Sequence, residues 1–110
     1  LIEKKAEDIE VPYNIRYNSL EQIFDYDKVK MGINIRNREQ GYVFKPLKSN
    51  GTKKLKKYFI DRKIPAELRD KIPLIAQGNE IIWIIGYGIS DKFKVTESTE
   101  TLLRLKYIKA

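Results

Sequence analysis

Apolar residues recur at every second position from Ile9, through Val11, Tyr13, Ile15 and Tyr17, the period of a half-buried strand. Asn18-Ser19 punctuates that run. Ile23-Phe24 and the stretch from Val29 to Ile35 predict further strands, the latter alternating as Met31, Ile33 and Ile35 before Arg36-Asn37-Arg38. Gly41 opens a predicted loop that runs past Phe44 to the turn cluster Ser49-Asn50-Gly51. The period then changes. Leu55, Tyr58, Phe59 and Arg62 fall at i, i+3, i+4 and i+7, which predicts a short amphipathic helix with Thr52 as its N-cap. Pro65 disfavours helical backbone at Ile64 and starts a second short helix, Pro65 to Lys71, closed by Pro73. Leu74-Ile75-Ala76, the turn Gln77-Gly78-Asn79 and Glu80 to Tyr87 read as a β-hairpin. Its second strand, Ile81-Ile82-Trp83-Ile84-Ile85, is apolar on both faces, as a central strand is. Gly86-Tyr87-Gly88 breaks it. A turn around Ser90 to Phe93 leads to a last strand, Thr101 to Ile108, with Leu103, Leu105 and Tyr107 on one face. The expected tally is six or seven strands and two central helices in an α+β domain, with residues 1–10 a helical or linking lead-in.

A length of 110 residues suits one domain with one core. The chain has no cysteine and no histidine, which removes disulfides, thiolate metal sites, the commonest general base and the commonest zinc ligand. No run of about eighteen apolar residues offers a membrane span, and Leu1-Ile2-Glu3-Lys4-Lys5 has no signal-peptide pattern. The absence of an initiator methionine suggests a piece of something larger.

The charge is localised. Between Lys45 and Lys71 ten basic residues face only Asp61, Glu67 and Asp70, so the whole net charge of +7 lies there, while the remaining residues balance. Such an excess is the electrostatic footprint of an anionic partner. Lys53, Lys54, Lys56 and Lys57 fall in the opening turns of the predicted helix. Cations there oppose the helix dipole at roughly 0.3–1 kcal/mol each, a cost that a merely structural helix avoids. Phosphate binding explains the placement, because free backbone N–H groups and ammonium groups then converge on one anion. The bland reading is a solvated helical face. Arg36 and Arg38 alternate on one side of a strand end, able either to reach one phosphate backbone or to protect a sheet edge with charge. Arg62, Lys63 and Lys94 complete the candidates. Leu55, Phe59 and Trp83 read as core, Tyr58 as core or as a stacking platform, and Asp61 as an ion-pair brace.

From Ile35 to Thr96 the sequence resembles the C-terminal domain of tRNA(Ile)-lysidine synthetase. The matching pieces are Ile35-Arg36-Asn37-Arg38 with Gly41, then Gly51-Thr52-Lys53-Lys54-Leu55-Lys56-Lys57, Phe59-Ile60-Asp61 and Lys63-Ile64-Pro65. Arg69-Asp70, Ile72-Pro73-Leu74, Ile82-Trp83-Ile84, Gly86 and Phe93-Lys94-Val95-Thr96 follow in order. One departure is Tyr42, where the family usually has an aspartate. The resemblance implies a β-rich, sandwich-like α+β module with two short central helices, similar to a domain of the phenylalanyl-tRNA synthetase β subunit. It also implies a lead-in over 1–8 and a tRNA-binding domain over 9–110.

The family is a bacterial cytoplasmic ligase that uses ATP, with Mg, to join lysine to the wobble cytidine of the isoleucine tRNA bearing a CAU anticodon. Its ATP-binding domain carries a Ser-Gly-Gly-x-Asp-Ser loop absent from this chain, so no catalytic residue and no cofactor are expected here. The implied partners are tRNA(Ile), toward its acceptor stem, the catalytic domain of the same protein and a second copy in a homodimer. The candidate tRNA contacts, read from the charge pattern and not carried over from the family, are Lys53, Lys54, Lys56, Lys57, Arg36, Arg38, Arg62, Lys63 and Lys94. Two other classes remain open: a dimerisation or protein-interaction module, and a nuclease using Asp61, Asp70 and Asp91.

Overall fold

Pro73 and the pair Gly78-Asn79 bracket the segment around which the molecule is built. The computed structural model describes residues 2–5, 20–29, 32–38 and 41–107. Strands β6 (Leu74–Gln77) and β7 (Glu80–Ile84) form an antiparallel hairpin in which Gln77 faces Glu80. Gly78 has φ of +61° and Asn79 does not enter the left-handed region, the pattern of a type II′ turn, whose twist matches that of the strands. Leu74 faces Ile84 and Ile75 faces Trp83, but Ala76 faces Ile81, which leaves Ile82 as an extra residue in a β-bulge. The bulge decides the layering. It puts Ile81 and Ile84 on the same face as Leu74 and Ala76, while Ile82 and Trp83 join Ile75 on the other.

This hairpin is the centre of a six-stranded mixed sheet, ordered β3 (Asn34–Arg36), β6, β7, β4 (Val43–Phe44), β5 (Lys53–Lys54), with β8 (Gly88–Ile89) also on β7. Strand β4 runs parallel to the start of β7, Val43 facing Glu80, and β8 returns antiparallel on its end. A three-stranded antiparallel sheet, β1 (Ile2–Lys5), β9 (Thr101–Lys106), β2 (Glu21–Asp25), packs against one face of the larger sheet. Between them lie Phe24, Trp83, Phe93, Leu103 and Leu105, all buried. The other face carries Phe44, Leu55, Tyr58, Phe59, Ile64 and Ile72, the core under helix α2 (Leu55–Asp61). The architecture is therefore sheet on sheet with helices on the outside, the β-rich α+β class that the sequence predicts.

Helix α2 ends by a specific device. Arg62 is its C-cap and Lys63 takes φ of +55°. The Lys63 N–H donates to the Ile60 carbonyl and the Ile64 N–H to the Phe59 carbonyl, both at 3.0 Å, which is a Schellman motif. Ile64 buries itself beside Phe59, supplying the apolar contact that accompanies the motif. Pro65 then caps α3 (Ala66–Arg69) rather than opening it, and the Arg69 Nε donates to the Ile64 carbonyl at 2.9 Å.

Several expected elements differ. Val29 ends a short helix, α1 (Tyr26–Val29), instead of starting a strand, and β3 is confined to Asn34–Arg36. The loop expected from Gly41 contains β4, because its pairing with β5 and β7 satisfies the backbone of Val43 and Phe44. Thr52 is not the N-cap of α2. Lys53 and Lys54 are drawn into the ladder opposite Phe44 and Val43, so the helix starts at Leu55 with Lys54 as an N-cap that makes no side-chain cap bond. Ile2–Lys5, expected within a helical or linking lead-in, forms strand β1 on β9. The strand predicted over Ile9 to Tyr17, together with Met31 and Ile108, lies outside the described residues.

Candidate nucleic-acid interface

The lysines of the central segment divide into two kinds according to their partners. Lys53 Nζ and Lys57 Nζ lie 3.1 and 3.0 Å from the two carboxylate oxygens of Asp61. Hydrogen bonding from Lys57, and then from Lys53, holds the Asp61 carboxyl below its ordinary value. Asp61 is thus the ion-pair brace that its position suggests, although its partners lie upstream rather than at Arg62 and Lys63. Lys54 and Lys56 are exposed and have no ion-pair partner among the described residues.

Lys54 and Lys56 line a cleft of about 670 Å³ together with Gly41, Tyr42, Val43, Leu55, Arg38 and Asp70. Each wall has a local cause. Leu55 and Tyr42 are anchored in the core, and the Leu55 N–H donates to the Tyr42 carbonyl at 3.0 Å. The first N–H of α2 is therefore not free for an anion, and the cationic character of the cleft comes from side chains. Gly41, with φ of +89°, turns the chain into β4. Tyr42, standing where an acidic side chain was expected, is 7% exposed and belongs to the core. Arg38 Nε donates to Asp70 Oδ1 at 3.0 Å, and Asn37 Nδ2 donates to the Asp70 carbonyl at 3.0 Å, tying the segment after β3 to the end of α3.

The other predicted positions are dispersed. Arg36 is exposed on edge strand β3, opposite Leu74, and does not line the cleft. Arg62 lies over the Tyr58 ring at 5.5 Å, a cation–π contact on the outer side of α2. Burial raises the pKa of Tyr58 while Arg62 opposes that rise, and Tyr58 is core, edge-on to Phe44. Lys63 is exposed at the Schellman turn.

Lys94 belongs to a separate cluster. Asp91 receives Lys94 Nζ at 2.7 Å, the Lys48 N–H at 3.1 Å and Lys45 Nζ at 3.2 Å. Those bonds, Lys94 first, hold its carboxyl far below the usual carboxylate range. Asp70 and Asp91, named from the sequence only as possible nuclease carboxylates, are instead ion-pair partners, Asp70 of Arg38 and Asp91 of Lys45 and Lys94. The Asp70–Arg38 pair spans 32 residues and the Asp91–Lys45 pair 46, so only the Asp91–Lys94 pair, three residues apart, is local.

Asp61, Asp70 and Asp91 each engage different cations, and no group of three or more His, Cys, Asp or Glu suited to a metal exists among the described residues. Gly86 to Gly88 is a tight β7–β8 turn rather than a strand-to-helix phosphate loop. No helix among them is long and apolar enough to cross a membrane.

The molecule is thus a two-sheet α+β domain in which Lys54, Lys56 and the Asp70-paired Arg38 line one cleft. Residues 33–107 match the family described as TilS substrate C-terminal domain, and the chain belongs to that family. It is 53% identical over 88 residues to the tRNA(Ile)-lysidine synthase of Caldanaerobacter subterraneus subsp. tengcongensis, covering 80% of this chain and 19% of that protein. It is 52% identical over 83 residues to the enzyme of the same name from Clostridium tetani, covering 76% and 18%. With that of Clostridioides difficile it shares 38% identity over 109 residues, covering 99% and 23%. The chain thus spans about a fifth of the length of these curated relatives. A crystal structure of a TILS C-terminal domain superposes with a TM-score of 0.65 at 23% identity, covering 98% of this chain and 84% of that one, which shows the shared fold.

Proposed function

We propose that this chain is the tRNA-recognition domain of a tRNA(Ile)-lysidine synthase, the cytoplasmic ATP-dependent ligase that attaches lysine to the wobble cytidine of tRNA(Ile) with a CAU anticodon. In this reading ATP and Mg are bound by a separate catalytic domain of the same protein, and this domain binds the tRNA body toward the acceptor stem. The observation that carries the reading is the placement of Lys54 and Lys56, free of ion pairs, with Arg38 around one cleft. Side chains of this kind bind phosphate and read A-form shape, because the major groove of RNA is too deep and narrow for them to reach base edges. Lys53, Lys57, Arg36, Arg62, Lys63 and Lys94 serve as outlying contacts.

The test is titration of the full-length natural protein with tRNA(Ile) (CAU) and with an unrelated tRNA, at low and high salt. Salt-sensitive binding, weakened at least tenfold by K54A/K56A, supports the reading. Unchanged affinity in that double variant removes the cleft from tRNA binding.

One observation favours a second role. Ile35 is 70% exposed on β3, an edge strand, which suits pairing with another copy or with a neighbouring domain. Sedimentation of the wild type and of I35K at two concentrations tests it: a monomer in both removes the homodimer.

A further inference from the structure

A carboxylate at the rim of a cleft built for anions repels the ligand, so its presence there needs a cause. Asp70 is such a group. Its side chain is 71% exposed, and Arg38 is its one ion-pair partner among the described residues. It does no capping: the α3 C-cap is closed by the Asp70 backbone N–H on the Leu68 carbonyl. An exposed ion pair contributes little to folding, so stability does not account for it.

The geometry of the pair does. A guanidinium has five N–H donors in a rigid plane, and the donor used here is Nε, at 3.0 Å from Oδ1. The Nη hydrogens have no partner among the described residues, and Arg38 lines the same cleft as Lys54 and Lys56. The neighbouring Asn37 fixes the other end by donating to the Asp70 carbonyl, so two adjacent residues grip one.

We propose that Asp70 is a positioning residue: by accepting from Nε it fixes the Arg38 plane with its Nη groups facing into the cleft, where they form a two-pronged contact with an RNA phosphodiester. This rests on the tRNA-binding reading of the cleft and adds a role to a residue that does not itself touch RNA. Asp70 has two opposed effects, orientation of Arg38 through a hydrogen bond and repulsion of phosphate through its charge. Asparagine separates them. D70N keeps an oxygen that accepts from Nε and removes the charge, whereas D70A removes both.

The experiment measures tRNA(Ile) binding by the full-length natural protein and by its R38A, D70A, D70N and R38A/D70A variants, between about 50 and 200 mM salt. D70A is expected to bind roughly tenfold more weakly, with a log affinity–log salt slope shallower by about one contact, or roughly 0.7–0.9. D70N is expected to bind at least as tightly as the wild type with an undiminished slope. The double variant is expected to be no weaker than R38A, because the favourable effect of Asp70 is exerted only through Arg38. Tighter binding by both D70A and D70N overturns the proposal and makes Asp70 a simple repelling charge. Additive losses in R38A/D70A overturn it as well. The K54A/K56A variant separates the two levels: if it binds as the wild type does, the cleft reading itself fails, whereas if it binds weakly and D70A matches D70N, only the role of Asp70 fails.

Discussion

Lys63 shows how one residue's backbone state carries a cost for a neighbouring element. Its φ of +55° is required by the Schellman closure of α2, yet a side chain with a Cβ disfavours that region by about 1–2 kcal/mol relative to ordinary conformations. Glycine meets no such penalty. Lys63→Gly is therefore expected to stabilise the fold by about 0.5–1 kcal/mol, net of the larger chain entropy of glycine when unfolded, and to raise Tm by several degrees. Thermal denaturation of the two proteins checks this; a fall in Tm means that the Lys63 side chain makes a stabilising contact.

Asp91 gives the opposite case, a side chain on which three donors from two segments depend. It is 14% exposed and receives Lys45, Lys94 and the Lys48 N–H, so Asp91→Ala leaves those donors without their acceptor. The cost is about 2 kcal/mol, the scale of hydrogen bonds to a charged group. The folded carboxyl titrates below its ordinary value of 3.8, so the unfolded chain takes up the proton first as pH falls. The contribution of Asp91 is thus complete above about pH 4 and declines as pH drops below the unfolded value toward the lowered folded one. Urea midpoints of wild type and D91A should differ by a constant amount from pH 7 to 5 and converge below pH 4. A gap that widens in acid contradicts the assignment.

At the scale of elements, the strong signals within the described residues were legible and the weak ones were not. The helix over Leu55 to Asp61 and the last strand carry apolar residues at helical and alternating spacings, the β6–β7 hairpin carries unbroken apolar runs on either side of a Gly-Asn turn, and each stands where its signal puts it. Strands β4 and β5 have two residues each, too few to show a period, and exist because β7 offers Val43 a partner. Lys53 and Lys54 look like helix positions because their neighbours are helical; only tertiary pairing reveals them as a strand. Core residues were legible from their type, whereas the pairings of Arg38 with Asp70 and of Lys45 with Asp91 depend on contacts distant in sequence and could not be read from it.

Helix α2 depends on that tertiary support. Seven residues are too few for a stable isolated helix, and it persists because Leu55, Tyr58 and Phe59 are buried against the sheet. Phe59 is fully buried and edges onto Tyr58. Phe59→Ala is expected to cost about 3–5 kcal/mol. Because α2 carries Lys56 and fixes Lys54, tRNA affinity should fall at denaturant concentrations where the wild type still binds. Parallel denaturation and binding curves test this, and a variant that loses stability but keeps binding through its unfolding transition would detach the helix from the site.

For the molecule as a whole, the number of lysines overstates the charge available to a ligand. Ten basic residues lie between Lys45 and Lys71, but Lys53 and Lys57 share Asp61, Lys45 is held by Asp91 and Arg69 donates to the Ile64 carbonyl. A polyanion releases counterions in proportion to the phosphates that the protein neutralises, so the salt dependence of binding measures the free cations, not the sum. Removing Lys54 and Lys56 together should shallow the log affinity–log salt slope by about two contacts, roughly 1.4–1.8. Removing Lys53 and Lys57 together should change it less, because both lost ammonium groups were already paired with Asp61. The comparison is informative in either direction. Unequal slopes mean that the Asp61 pairs survive in the complex and that the cleft of Arg38, Lys54 and Lys56 is the phosphate contact. Equal slopes for all four lysines mean that RNA displaces Asp61 from both partners and that the contact extends from the cleft along the outer face of α2.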